Sequence, residues 1–330
     1  MHHPHLAAAA AALACANACA QAPASVTLYG SLDVAVTRRA DHVWAIDPQG
    51  GNRLGWFGLE DLGGGWAAQF RMEMRFDPDT GLPERSSRPI WQGETTVGLR
   101  SPWGTVRLGR AMTAMQWYAG YFDPWALKTV ASINLNQMAS YFSDPLQGAG
   151  AGSVRWGNAV FYDSPRIAGV LAAASITAPE GQYAVHPYSL ALQYDKNGLM
   201  LFTGYERNTV GSRFSQVAGG YDFGVVKPAL SFARSRSPAG VDGDRTGPAP
   251  AGRAIKAVGL TATAPLPSGQ LKFGYNFKKF DGQTGKDHQL GLGYKHDLSR
   301  RTYLYTDFNG LKPEVGPERK SYDLGIVHIF

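Results

Sequence analysis

From Val26 onward, apolar and polar residues alternate in runs of about ten. Between Val26 and Val36 one face carries Val26, Leu28, Leu32, Val34 and Val36, and the other carries Thr27, Tyr29, Ser31 and Asp33. That period of two is the signature of a strand with two unlike faces. The run Trp66 to Phe76 is sharper: Ala68, Phe70, Met72, Met74 and Phe76 oppose Gln69, Arg71, Glu73 and Arg75. Gln270 to Lys278 sets Leu271, Phe273, Tyr275 and Phe277 against Gln270, Lys272, Asn276 and Lys278. In the last run Tyr322, Leu324, Ile326, His328 and Phe330 share one face. A soluble sandwich also alternates, but here the polar face carries full charges strand after strand, which fits a wall that lines water. A last strand left as a free edge would expose unpaired backbone groups, so it is expected to close a barrel.

The punctuation between the runs alternates in length. Short turns fall at Asp61 to Gly65, Ser101 to Gly104, Ser164 to Gly169, Asp195 to Gly198, Phe223-Gly224, Pro265 to Gly269 and Asp297 to Arg300. Gly, Asn, Asp and Pro hold such bends. Longer connections lie near 37–51, 77–92, 112–157, 178–187, 208–213, 237–252, 281–286 and 310–320. Short ends alternating with long ends predict an all-β, transmembrane antiparallel barrel of about 16 strands, wide enough for an aqueous channel. The connection at 112–157 is far too long for a plain loop. It holds Trp117, Tyr118, Tyr121, Phe122, Trp125, Tyr141 and Phe142 with Asp123 and Asp144, a composition expected to pack against the lumen wall as a constriction loop.

Composition narrows the choice. Aromatics at 12% with 40 glycines among 330 residues suit short strands and tight turns. The net charge of +6 comes from Lys and Arg dispersed at strand spacing rather than clustered, so no nucleic-acid partner is expected. Leu6 to Ala20 is Ala-rich and free of Asp, Glu, Lys and Arg, and Ala18-Cys19-Ala20 supplies a small-x-small cleavage pattern. Residues 1–20 therefore read as a signal peptide and 21–330 as the barrel domain. Both cysteines, Cys15 and Cys19, lie inside the leader, so the mature chain is expected to have no disulfide.

The motifs come in a specific order: LYGSLD at Leu28 to Asp33, RLGWFGLEDLGGG at Arg53 to Gly65, TVGL at Thr96 to Leu99, GTVRLGR at Gly104 to Arg110, YDSP at Tyr162 to Pro165, YDFG at Tyr221 to Gly224 and the final Phe330. Together they resemble the Gram-negative general porins of the beta-proteobacterial and neisserial type, over nearly the whole mature chain. The resemblance implies a homotrimer of sixteen-stranded barrels in the outer membrane, reached through the periplasm and set in lipid and lipopolysaccharide. Each barrel would be narrowed by its third loop folding inward. It also implies passive diffusion of small hydrophilic solutes with a preference for anions, without enzymatic activity or cofactor.

In that family a lumen cluster of basic residues faces acids of the inward loop. Arg53 and Arg110 match two of the family's arginines, while Phe57, Gly93 and Phe161 stand where it commonly has basic residues. Arg71 and Arg75 add charges on the polar face of their strand, with Glu73 between them and Arg107 able to join. The expected constriction therefore comprises Arg53, Arg71, Glu73, Arg75, Arg110 and Asp123. Strict alternation puts Arg110 on the face of Val106 and Leu108, so its entry into the lumen needs a bulge or a strand end at Gly109. The alternative is a substrate-selective channel for sugars or aromatic acids, with Phe57, Phe161 and the loop tryptophans as a greasy path. Asp77 to Gly81 resembles a fragment of a calcium loop without the remaining ligands. The five histidines beyond the leader have no ligand spacing, and no Gly-x-Ser-x-Gly elbow occurs.

Overall fold

The computed structural model describes residues 24–84, 90–126, 128–133, 154–177, 186–209, 211–236, 252 and 254–330. The proposed leader lies outside them, as does most of the second half of the 112–157 connection. The strands in chain order are β1 (Ser25–Arg38), β2 (Trp44–Asp47), β3 (Arg53–Gly63), β4 (Trp66–Asp77), β5 (Leu82–Pro83), β6 (Glu94–Ser101), β7 (Gly104–Met112), β8 (Arg155–Asp163) and β9 (Val170–Thr177). They continue with β10 (Tyr188–Lys196), β11 (Leu199–Arg207), β12 (Arg213–Tyr221), β13 (Lys227–Arg236), β14 (Ala254–Leu266), β15 (Gly269–Phe280), β16 (Asp287–Asp297), β17 (Thr302–Lys312) and β18 (Arg319–Ile329). β2 and β5, of four and two residues, are appendages in the loops. The other sixteen pair antiparallel with their neighbours and close into one barrel.

Closure is made by β1 and β18, which pair from Ser31 with Ile329 to Arg38 with Tyr322. Beyond that register Gly30 N–H donates to the Phe330 carbonyl at 3.0 Å and Phe330 N–H returns to the Gly30 carbonyl at 3.1 Å. No edge is left there. All seven short turns fall between the paired strands foreseen for them, because Gly and Asn take the left-handed backbone such bends require, as Asn197 (φ 52°) and Gly198 (φ 81°) do between β10 and β11.

The two faces sort as the alternation predicts. On β1 and β18, Val26 and Leu324 are each 62% exposed on the outside, whereas Asp33 and Asp323 are 5% and 3% exposed on the inside. The outward face carries a large apolar surface of Leu, Val, Ile and aromatic side chains, suited to hydrocarbon. What core exists is inside the barrel. It forms where α1 (Ala114–Ala119) and a 3₁₀ turn (Gly120–Phe122) lie against Ala173, Ala191, Phe202, Phe214 and Ala218 of β9 to β12.

The seam depends on Gly30. A Cβ there would collide with the Phe330 ring and sit 2.6 Å from the Arg53 carbonyl oxygen. Gly30→Val is therefore expected to cost about 1–3 kcal/mol by overpacking. On electrophoresis after graded heating, its folded band should disappear at a lower temperature than that of the wild type.

Candidate functional site

The inward segment after β7 is fastened to the wall at successive points, and each fastening answers a need of its backbone. The first amides of α1 have no partner within the helix. Ser175 Oγ accepts from Ala114 N–H and Ser189 Oγ from Met115 N–H, both at 2.9 Å. Met115 lies over Gly204, where any Cβ would strike its sulfur. Tyr118 donates its hydroxyl to Asp163 Oδ1 at 3.0 Å. Burial and that carboxylate push the Tyr118 hydroxyl well above the ordinary tyrosine range, so it stays a donor. Further on, Thr261 Oγ1 donates to the Phe122 carbonyl at 3.2 Å. Trp125 Nε1 donates to Asp307 Oδ1 at 2.7 Å, and Gln289 Nε2 to the Ser132 carbonyl at 3.0 Å. The Trp125 ring occupies space left by Gly274, Gly291 and Gly293 on β15 and β16. The segment then reaches the loop before β3, where Thr129 N–H donates to the Gln49 carbonyl at 3.2 Å.

On the lumen side of β3, β4, β6 and β7 the charges are layered. Glu73 accepts from Tyr29 Oη at 3.2 Å and Arg75 Nε at 3.4 Å, with Arg53 Nη1 3.9 Å away. Arg75 also reaches Glu84 at 3.9 Å. Glu94 pairs with Arg107 at 2.8 Å and with Arg71 at 3.5 Å, and Arg107 continues to Asp163 at 3.0 Å. The Arg71 guanidinium stacks on Phe57 and Tyr29, and that of Arg107 on Phe161, each with its carbon 5.3–5.6 Å from the ring centroid. Directly paired residues share a face: Phe57 faces Arg71, and Arg53 faces Arg75 across β3 and β4. The carboxylates lie beneath the cations. Side chains of Arg53 and Arg71 are 33% and 36% exposed, against 8% and 11% for Glu73 and Glu94.

The structure thus brings four of the six expected residues, Arg53, Arg71, Glu73 and Arg75, into one wall. The other two stand apart. At Gly109 the backbone is left-handed (φ 126°) and the β7–β8 register shifts between Gly109 and Ala111. The extra residue is on β8, however, where Trp156 to Ala159 oppose Ala111 and Gly109, so the alternation of β7 itself is kept. Arg110 pairs with Thr95, on the Met72 face of the sheet, and donates from Nε to the Gln92 carbonyl at 3.1 Å. Asp123 is 4% exposed and accepts from Ser132 Oγ and from Trp125 N–H at 3.1 Å. Its carboxylate folds the loop rather than facing the arginines.

Three participants were not singled out from the chain. Arg155, at the start of β8, donates to the Gly93 carbonyl at 2.9 Å; at Gly93 the side chain of Glu73 fills the space that a Cβ would occupy. Glu94 opens β6 and bridges two arginines. Lys128 packs its stem over Gly51, and burial, together with Arg53 and Arg75, lowers its ammonium to about 8. The alternation of β6 contains a signal for Glu94, but nothing local signals Lys128. Phe161, 2% exposed in a cluster with Trp156, and Trp125, 2% exposed, are packing residues; of the expected greasy path, Phe57 is half-buried at the lumen and Trp117 of α1 is exposed. Asp77 to Gly81 is a tight turn closed by Gly81 N–H on the Asp77 carbonyl at 2.8 Å.

The profile of the Gram-negative porin family matches residues 7–312. An outer membrane porin protein of Bordetella pertussis is 29% identical, the match covering 90% of this chain and 91% of that one. Outer membrane porin protein 32 of Delftia acidovorans is 27% identical over 89% of this chain and 85% of its own. Among solved structures, the anion-selective porin from Comamonas acidovorans superposes with a TM-score of 0.78 at 24% identity, over 93% of this chain and 100% of that one.

The Trp125–Asp307 bond ties the inward segment to the far wall, and a hydrogen bond to a carboxylate contributes about 1.5–3 kcal/mol. Trp125→Phe keeps the packing and removes the donor. It is expected to raise open-channel noise and conductance in a planar bilayer, whereas currents indistinguishable from wild type would show that the ring alone holds the segment.

Proposed function

The chain belongs to the Gram-negative porin family, a β-barrel channel of the outer membrane and not an enzyme, and from that premise we propose that it passes small hydrophilic solutes by diffusion with a preference for anions. The observation that carries the preference is the layering of charge: water meets the guanidiniums of Arg53 and Arg71 before it meets Glu73 or Glu94. Arg53, Arg71, Arg75 and Arg107 pair with Glu73, Glu84, Glu94 and Asp163 in this wall, and Lys128 and Arg155 lie within electrostatic reach of it. Guanidinium stays charged at any working pH, and fixed charge in a narrow aqueous path concentrates counter-ions and repels co-ions. The fold it shares with a porin whose title calls it anion-selective supports the same reading.

In this proposal the protein works as a homotrimer, as a porin in trimer form with the same fold does, its apolar outer face set against lipid and lipopolysaccharide. The 1–20 segment is removed on export, and 112–157 acts as the constriction loop. The selectivity residues are Arg53, Arg71 and Arg75, with Glu73 holding them in place. Arg107 and Lys128 join that set, and Arg110 and Asp123 support the strand end and the loop.

A unit charge about 8 Å from a permeating ion in water contributes about 0.5 kcal/mol before screening, attractive for an anion and repulsive for a cation. Arg53→Ala with Arg71→Ala is therefore expected to lower the chloride-to-potassium permeability ratio by about two- to fivefold, read from the zero-current potential in a KCl gradient. An unchanged potential would remove these two residues from the filter. Lys128 adds a pH dependence. Its ammonium is charged below about 8 and neutral above, so anion preference should decline between pH 7 and pH 9 and flatten in Lys128→Met.

A further inference from the structure

One arginine of the lumen wall lies against two aromatic rings and makes only a long contact with a carboxylate. The Arg71 guanidinium carbon lies 5.3 Å from the Phe57 ring centroid and 5.6 Å from that of Tyr29. Its contact with a carboxylate, Nη1 to Glu94 Oε2 at 3.5 Å, is long, because the other oxygen of Glu94 is committed to Arg107 Nη1 at 2.8 Å and Thr96 Oγ1 at 3.0 Å. The Arg71 side chain is 36% exposed, the largest exposure among the paired arginines of this wall. Phe57 is its direct partner across β3 and β4 and is likewise open to the lumen. The position offers a guanidinium lying against two aromatic rings, N–H donors with one long contact to a carboxylate, and in Phe57 an apolar ring.

We propose that Arg71 and Phe57 form a weak lumenal subsite for aromatic carboxylates. The inference rests on the channel reading above and names the class of solute the constriction would favour. A planar carboxylate matches the guanidinium edge in a two-pronged geometry that chloride cannot use. An arene joined to that carboxylate and tilted out of the guanidinium plane reaches the Phe57 ring, where an edge-to-face aromatic pair adds to the contact. An aliphatic acid of the same size gains the charge pairing without the ring contact. Tyr29 is committed to Glu73 through its hydroxyl, and its ring also lies against Arg71. Fast passage requires that binding stay weak, and a single ring contact on one arginine meets that requirement.

The test uses the purified full-length channel in planar bilayers, with benzoate, cyclohexanecarboxylate or acetate added to a KCl bath, and reads the concentration that halves the open-channel current. Benzoate is expected to act at about two- to tenfold lower concentration than cyclohexanecarboxylate. Phe57→Leu should erase that difference, and Arg71→Lys should weaken block by both acids. Equal potency of the two ring acids on the wild type would overturn the subsite, as would a benzoate advantage that survives Phe57→Leu. A channel without chloride preference in the KCl gradient that still distinguishes benzoate would overturn the anion filter and leave the subsite standing.

Discussion

In hydrocarbon a backbone amide without a partner costs several kcal/mol, and a sheet can meet that condition only by having no edge. The seam between β1 and β18, finished by the reciprocal Gly30–Phe330 bonds, is where the condition is met, and the rest of the structure follows from it. Once the sheet is closed, each strand has one face in lipid and one in the lumen. The apolar alternate residues go outward without cost. The charges of β3, β4 and β6 that build this wall, Arg53, Arg71, Glu73 and Glu94 among them, are then directed inward, where charges must satisfy one another in a confined space.

The lumen wall does this by layering. Carboxylates on β4 and β6 lie against the wall and arginines cover them, so Glu73 and Glu94 are neutralised while part of each guanidinium remains in water. Asp163 belongs to the same network through Arg107 and is also the acceptor for Tyr118 in the inward segment. The proposed charge filter and the proposed constriction therefore share a carboxylate. A change at Asp163 or Arg107 would move both properties together.

The inward segment could not hold its shape alone. A helix of six residues is far below the length that persists in water. It exists because the wall supplies what it lacks: serine oxygens for its first amides, alanines and Gly204 for close approach, and a glycine recess on β15 and β16 for Trp125. Asp307, an inward residue of β17, takes the indole hydrogen. These fittings come from strands as distant in sequence as 182 residues, and they stretch the segment across the lumen rather than folding it beside β7.

Period-two alternation, the spacing of Gly, Asn and Pro turns, and charge recurring on the polar faces determined the barrel, its strand count, its lipid-facing side and the inward placement of Arg71, Glu73 and Arg75. Those are local properties, since a residue's side of a sheet follows from its parity alone. Only the tertiary structure decided the remainder. The sequence made the lumenal entry of Arg110 conditional on a bulge or strand end at Gly109; pairing put the extra residue on β8 and left Arg110 in its original register. Asp123 looked like an acid for the pore because its composition and loop were known and its neighbours were not; Ser132 and the Trp125 amide claim it. Lys128 enters the basic cluster because the loop crosses to Gly51. Parity is written in a strand, whereas contacts across a lumen are set by closure and by the path of a loop, to which residues far apart in the chain contribute.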